Sequence, residues 1–216
     1  MALSGEGLCF GYSKGQKQIL SDFCVSFPAG QITALTGANG CGKTTLTKLL
    51  VGILKTTQGK VWLDDTDIST LSLAEIGHQV GYVMQNPAQQ ICCTSVEEEI
   101  AYGLKNMNLS ELEIESRISY YLAYFELGQY RKSFPFHLSQ GEKQRLVLAA
   151  ILAMKPKYLI LDEPTASLDM YCCRLLGELL RKIVVEEGCG IVLVSHDANF
   201  VKQYADAQIE MMVVTS

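Results

Sequence analysis

The chain has 216 residues, 18 basic and 23 acidic side chains for a net charge of −5, and 48% hydrophobic residues. This length suits one large α/β domain, and the acidic balance argues against a nucleic-acid partner, whose phosphate backbone needs a basic face. Eight cysteines occur, but there is no C-x-x-C spacing and two pairs are adjacent (Cys92-Cys93, Cys172-Cys173). Free thiols of a reducing compartment are expected rather than a disulfide framework. The apolar run Leu146 to Met154 falls far short of the ~20 residues that span a bilayer.

Leu8-Cys9-Phe10 and Ile19 to Phe27, the latter with Phe23, Val25 and Phe27 alternating, predict two strands joined by a turn at Ser13-Lys14-Gly15. Tyr12 stands just before that turn. The residues alone leave it two roles, a half-buried strand aromatic or a stacking platform for a base.

After the Pro28-Ala29-Gly30 break comes a β-branched strand, Ile32-Thr33-Ala34-Leu35, then Gly37-Ala38-Asn39-Gly40-Cys41-Gly42-Lys43-Thr44-Thr45, then a helical pattern at Leu46, Leu49, Leu50 and Ile53. G-x-x-x-x-G-K-[ST] at a strand-to-helix turn is a phosphate cradle. Glycines let the backbone close around the phosphates, and successive N–H groups from Asn39, Gly40, Cys41, Gly42 and Thr45 face the negative charge. Lys43 reaches the β- and γ-phosphates and Thr44 ligates magnesium. By average residue usage a chain of this length matches the pattern by chance about once in a hundred. The expected ligand is a magnesium nucleoside triphosphate. Cys41, near a helix N-terminus that favours thiolate, is expected to make activity sensitive to thiol reagents.

Gly59 to Asp64 predicts a short strand, and Val80 to Met84 a core strand delivering Gln85 to the ligand-binding edge of an α/β sheet, within reach of magnesium or attacking water. Residues 94 to about 130 predict a helical insert. One helix starts at Thr94-Ser95 with carboxylates in its first turn. A second starts at Ser110-Glu111-Leu112-Glu113, which has the form of a capping box. Tyr120, Tyr121 and Tyr124 are expected to pack. At Leu138-Ser139-Gln140-Gly141-Glu142 a long helix begins. Ser139 and Gly141 serve there as a plain cap or as a second anion site. Tyr158 to Leu161 predicts a buried strand ending in Asp162 and Glu163, sent in different directions by strand alternation. Asp162 holds magnesium and Glu163 polarises water. Gly190 to Val194 is another buried strand, ending at Ser195-His196, with His196 expected to contact a γ-phosphate.

In this order and spacing the motifs resemble the ATP-binding-cassette (ABC) ATPases, over essentially the whole chain. Walker A is Gly37 to Thr45, the Q-loop Gln85, the signature Leu138 to Glu142, Walker B Tyr158 to Asp162 followed by Glu163, the D-loop Ser167-Leu168-Asp169 and the switch histidine His196. The resemblance implies a single domain, residues 1–216: a RecA-like P-loop core, an antiparallel β subdomain and a helical subdomain at roughly 92–140. It places Tyr12 against adenine and makes Ser139 and Gly141 the signature contacts to ATP. It also implies head-to-tail pairing of two cassettes, homo- or heterodimeric, with each ATP between one chain's Walker A and the other's signature. Gln140 stands where the family usually has glycine, and Glu142 where it usually has glutamine.

Three further runs are similar to the energy-coupling-factor (ECF) and cobalt-type importers: Val83 to Pro87 with Gln90, Thr94 to Leu104, and Leu152 to Pro156. That likeness implies a peripheral ATPase on the cytoplasmic face of the membrane, a transmembrane coupling subunit and a substrate-binding membrane subunit, with a vitamin, metal ion or similar solute as cargo. Ile91, Ala101, Tyr102 and Leu104 fit either a groove for coupling helices or ordinary core. The alternatives are a soluble non-transport cassette and a regulatory cassette of weak turnover.

Overall fold

The computed structural model describes residues 1–12, 18–166 and 168–213. The turn expected at Ser13-Lys14-Gly15 and the D-loop Ser167 lie outside the described residues. The elements run β1 (Ala2–Phe10), β2 (Leu20–Pro28), β3 (Ile32–Gly37), α1 (Lys43–Leu50), β4 (Gln58–Leu63), β5 (Thr66–Asp67), α2 (Leu73–Gln79), β6 (Val80–Val83), α3 (Val96–Leu104), α4 (Glu111–Tyr124), α5 (Gln140–Ala153), β7 (Tyr158–Asp162), α6 (Met170–Glu187), β8 (Gly190–Val194), α7 (Ala198–Tyr204) and β9 (Ala207–Met211).

Two sheets form. β2-β1-β4-β5 is antiparallel, and β6-β7-β8-β3-β9 is parallel throughout. The sequence of β7 and β8 is apolar at almost every position because both faces are covered. Strand alternation then divides their side chains. Tyr158, Ile160, Val192 and Val194 pack with α1 and the antiparallel sheet. Leu159, Leu161, Ile191 and Leu193 pack with α3, α5, α6 and α7. The central strands are thus fixed from both sides, and their carboxyl ends have no freedom to drift.

Four local expectations are revised or decided. α1 ends at Leu50, and Ile53 lies beyond it, 48% exposed. Ser110 caps α4 by accepting from the Glu113 N–H, but the Glu113 carboxylate pairs with Arg117 (2.9 Å) instead of completing a box. The arginine has the stronger claim because it is charged and one turn away. Ile91, Ala101 and Leu104 are core, whereas Tyr102 is 60% exposed. Of the aromatic cluster on α4, Tyr121 is buried and Tyr120, stacked on Tyr124, is exposed.

Arg131 ties the helical segment together, reaching Glu97 on α3 (2.6 Å) and Glu115 on α4 (2.7 Å). Arg117 donates to the Ala153 carbonyl at the end of α5 (2.9 Å). Among the described residues no helix is long and apolar enough to cross a membrane.

The chain leaves β3 at Gly37 with φ +140°, where a Cβ would stand 2.3 Å from the Met211 carbonyl oxygen and 2.9 Å from Cys41 Sγ. Neither backbone nor buried sulfur can yield cheaply. Gly37→Ala is expected to cost roughly 3 kcal/mol of stability or more, read from the midpoint of denaturant unfolding. An unchanged midpoint would show that the strand end can shift to accept the methyl.

Candidate active site

The carboxyl ends of β3, β7 and β8 open on one cleft of about 700 Å³, the edge where parallel sheets bind ligands. Its walls bring together Asn39, Gly40, Gly42, Lys43, Thr44, Thr45, Gln85, Asp162, Glu163 and His196, with Ile19, Thr165, Ala166 and Asp197.

The glycine loop has the backbone of an anion cradle. Gly40 and Gly42 carry φ of +80° and +106°, conformations that side chains resist. Gly42 caps α1, whose first-turn N–H groups have no intrahelical acceptor and face the cleft. Lys43, only 7% exposed, donates to the Gly37 (2.9 Å) and Ala38 (3.2 Å) carbonyls. Its ammonium is thus aimed across the loop by neutral acceptors. Thr44 is exposed to the cleft.

Cys41 departs from expectation. Its side chain is 2% exposed and packs in the core beneath the loop with Leu35 and Leu46. Only its backbone belongs to the cradle. A thiol reagent has no path to this sulfur while the loop is folded, so the expected sensitivity is not supported. In an alternating strand the next side chain's direction is legible, but a loop of positive-φ glycines has no such period.

Asp162 is 4% exposed and fixed by a chain that sequence reading missed. Tyr82 donates to its Oδ2 (3.2 Å), and Thr47 Oγ1 lies 3.4 Å from the same phenol. Burial pushes the Tyr82 hydroxyl up to about 12, with the nearby Asp162 adding to the rise, so it remains a donor at neutral pH. The legible sign was Thr47, a hydroxyl among the leucines of α1.

Asp162 and Glu163 do diverge, but strand alternation is not the cause. β7 ends at Asp162, and Glu163 has φ +52°, a left-handed conformation unusual for glutamate. Its N–H donates to the Val194 carbonyl (2.9 Å), which locks the turn to β8. Its Oε2 accepts from the His196 N–H (3.3 Å). Its Oε1 is buried without a hydrogen bond, 3.2 Å from His196 Nε2 but out of line for one. Burial raises the Glu163 carboxyl above the usual carboxylate range, and His196 partly opposes that rise. A buried acceptor without a donor, on a cleft wall, is where a water or hydroxyl belongs.

Gln85 is exposed on the cleft wall. Gln90 pins the strand end behind it, donating to the Tyr82 carbonyl (2.7 Å) and accepting from the Met84 N–H (2.7 Å). Tyr12 stands outside the cleft lining, 59% exposed. Its hydroxyl is 3.3 Å from Thr45 Oγ1, and its ring packs edge-on to Phe10.

Ser139 and Gly141 are elsewhere. Ser139 caps α5 in a full capping box: the Glu142 N–H donates to its Oγ (3.3 Å), and Glu142 Oε2 accepts from its N–H (2.8 Å) and hydroxyl (2.7 Å). The Tyr130 hydroxyl and Ser139 hold the Glu142 carboxyl below its usual range. Glu142 is thus explained as a helix-start residue. Gly141 lines a separate cavity of about 420 Å³ with Arg145, Leu168 and Cys172.

A family model described as ABC transporter matches residues 20–166. The chain belongs to the ABC transporter family. It is 44% identical over 199 residues to a putative ABC transporter ATP-binding protein of Pyrococcus horikoshii, covering 91% of this chain and 75% of that one. It is 38% identical over 201 residues to the energy-coupling factor transporter ATP-binding protein EcfA1 of Methanospirillum hungatei, covering 93% and 72%. In structure it is similar to cbiO1 of Clostridium perfringens, part of the ABC transporter complex cbiONQ, with TM-score 0.87, 34% identity and coverage of 97% and 84%. This chain is therefore an ATP-binding cassette ATPase, the ATPase subunit of a transporter, with the P-loop fold of its relatives and an energy-coupling-factor type of similarity.

Proposed function

We propose that this ATPase powers uptake of a vitamin, metal ion or similar small solute in an ECF-type importer, by closing head to tail with a second cassette on ATP. One observation carries the reading. A single cleft gathers the phosphate cradle, Gln85, Asp162, Glu163 and His196, while Ser139 and Gly141 stand outside it at the start of a helix where Ser139 and Gln140 are exposed. Half of an ATP site on each of two surfaces is what pairing would join.

Within the cleft, the α1 N-terminus and loop N–H groups bind the phosphates, and Lys43 meets the β/γ charge. The oxygen donors Thr44, Gln85 and Asp162 suit magnesium, a hard cation that would neutralise charge on the phosphates. Tyr82 keeps Asp162 oriented for that role. Glu163 takes the proton of the attacking water through its unpaired Oε1, and His196 bridges Glu163 and the γ-phosphate. Tyr12 stacks on adenine. Asp169 transmits the partner site's state.

The cargo reading rests on the names EcfA1 and cbiONQ among similar proteins. By that likeness the partners are a second cassette, a transmembrane coupling subunit and a substrate-binding subunit, with this chain peripheral on the cytoplasmic face. The exposed Tyr102 beside buried Ala101 and Leu104 offers an anchor for a coupling helix.

Light scattering of purified Glu163→Gln protein tests the pairing. A dimer appearing only with ATP is expected. A monomer that binds ATP without pairing would refute a homodimeric motor and direct the search to a homologous partner. Co-purification with integral membrane proteins in detergent separates a transport motor from a free-standing cassette.

A further inference from the structure

Among the described residues, one group outside the nucleotide cleft brings metal-ligating atoms together: Cys92, Cys93 and Glu99, whose ligand atoms all lie within 4.8 Å of one another. The two sulfurs are 4.0 Å apart. In a tetrahedral zinc shell with Zn–S bonds of ~2.3 Å, neighbouring sulfurs stand ~3.8 Å apart, so the pair is already near bidentate spacing.

The carboxylate is built into place. Glu99 is 7% exposed on the first turn of α3, and its Oε2 accepts both the Cys92 N–H (3.0 Å) and the Cys93 N–H (2.8 Å). Those bonds fold residues 92–93 over the helix start, with a Glu99 carboxylate oxygen within 4.8 Å of both sulfurs. Cys92 is exposed, so the group has an entry path, and a fourth position is left to water. The second adjacent pair provides a contrast. Cys172 and Cys173 are successive residues of α6, about 100° apart around its axis, and Cys173 Sγ turns to the Leu168 carbonyl (3.8 Å). Adjacency alone therefore does not make the site; the non-helical backbone at 92–93 and the buried glutamate do.

We propose that Cys92, Cys93 and Glu99 form a site for a thiophilic divalent cation of the zinc or cadmium class. Binding forms two metal–sulfur bonds and one metal–oxygen bond, and the two thiol protons leave to solvent. The bound ion ties the segment after the Gln90 clamp to α3.

The test is titration of the full-length, reduced, metal-free chain with Cd²⁺, followed by thiolate-to-cadmium charge-transfer absorption. The band is expected to saturate at one equivalent, with half-saturation below about 10 μM. Cys92→Ser and Cys93→Ser should each weaken binding by at least about tenfold, and Glu99→Gln, which keeps an acceptor for the two N–H groups, should weaken it less. Cys172→Ser/Cys173→Ser should leave the titration unchanged. Thermal melts check that each variant is folded. Absence of the band in the unsubstituted chain, or its persistence in Cys92→Ser/Cys93→Ser, would overturn the assignment.

Discussion

Glu163→Gln is expected to lower ATP turnover by about 10²–10⁴-fold, the range for loss of a positioned general base, while ATP affinity stays within about twofold. The substitution keeps the shape of the side chain and leaves an amide oxygen to accept the His196 N–H. What it loses is the capacity to take a proton. The acid limb of turnover should change with it. In the unsubstituted chain burial raises the Glu163 carboxyl, so activity should fall on acidification at a pH above the ordinary glutamate value of about 4.3. That limb should be missing from the residual activity of the variant. Stability moves the other way. A carboxyl whose folded pKa is raised contributes stability that is fully present below its unfolded value and is lost as pH rises through the folded one. At neutral pH the ionised Glu163 therefore costs stability, and Glu163→Gln should melt higher. Calorimetry at neutral and at acid pH checks the sign, because the difference in melting temperature should shrink on acidification. Wild-type turnover in this variant would end the general-base assignment.

Gly141→Asp is expected to abolish turnover, by at least about 100-fold, with the monomer's fold and ATP affinity intact. A Cβ at Gly141 meets nothing within 4 Å, and an acidic residue in the first turn of a helix is favourable to the macrodipole. Unfolding is therefore not available as an explanation of lost activity. A carboxylate set where a second chain's nucleotide phosphates would arrive repels them. Light scattering should find no ATP-driven dimer. Mixing this variant with Lys43→Ala should recover part of the activity, because one of the two sites in the mixed pair then has an intact cradle and an intact signature. Turnover equal to the unsubstituted chain would place Gly141 outside the reaction.

How much of this was legible in the sequence depends on what fixes each side chain. β7 and β8 were readable because residues buried on both faces leave an unbroken apolar run, and their carboxyl ends then locate Asp162, Glu163 and His196. The cradle was readable because closing a backbone on phosphate demands glycine at set positions. The direction of Cys41 was not, since nothing periodic governs a side chain between two positive-φ glycines. Nor was the left-handed turn at Glu163, which depends on a bond to the Val194 carbonyl 31 residues later. Tyr82 falls inside the expected Val80 to Met84 strand, and its bond to Asp162 needs the pairing of β6 with β7. Glu142 looked like a departure in the signature until its capping bonds gave it a local reason.

Those capping bonds act as a latch. The Ser139 hydroxyl donates to the Glu142 carboxylate and accepts from the Glu142 N–H, so its one O–H is already used within its own helix turn. To donate to a phosphate on another molecule it must let go of the carboxylate, exchanging one charge-assisted bond for another at little net gain. Glutamate makes this release harder than a neutral residue would, and it also sets a negative charge near the arriving phosphates. Tyr130, which shares the carboxylate, is the group able to draw it aside. In the proposed pairing, the serine would therefore add little to closure, which would be left chiefly to the cradle, the metal and the α5 helix end.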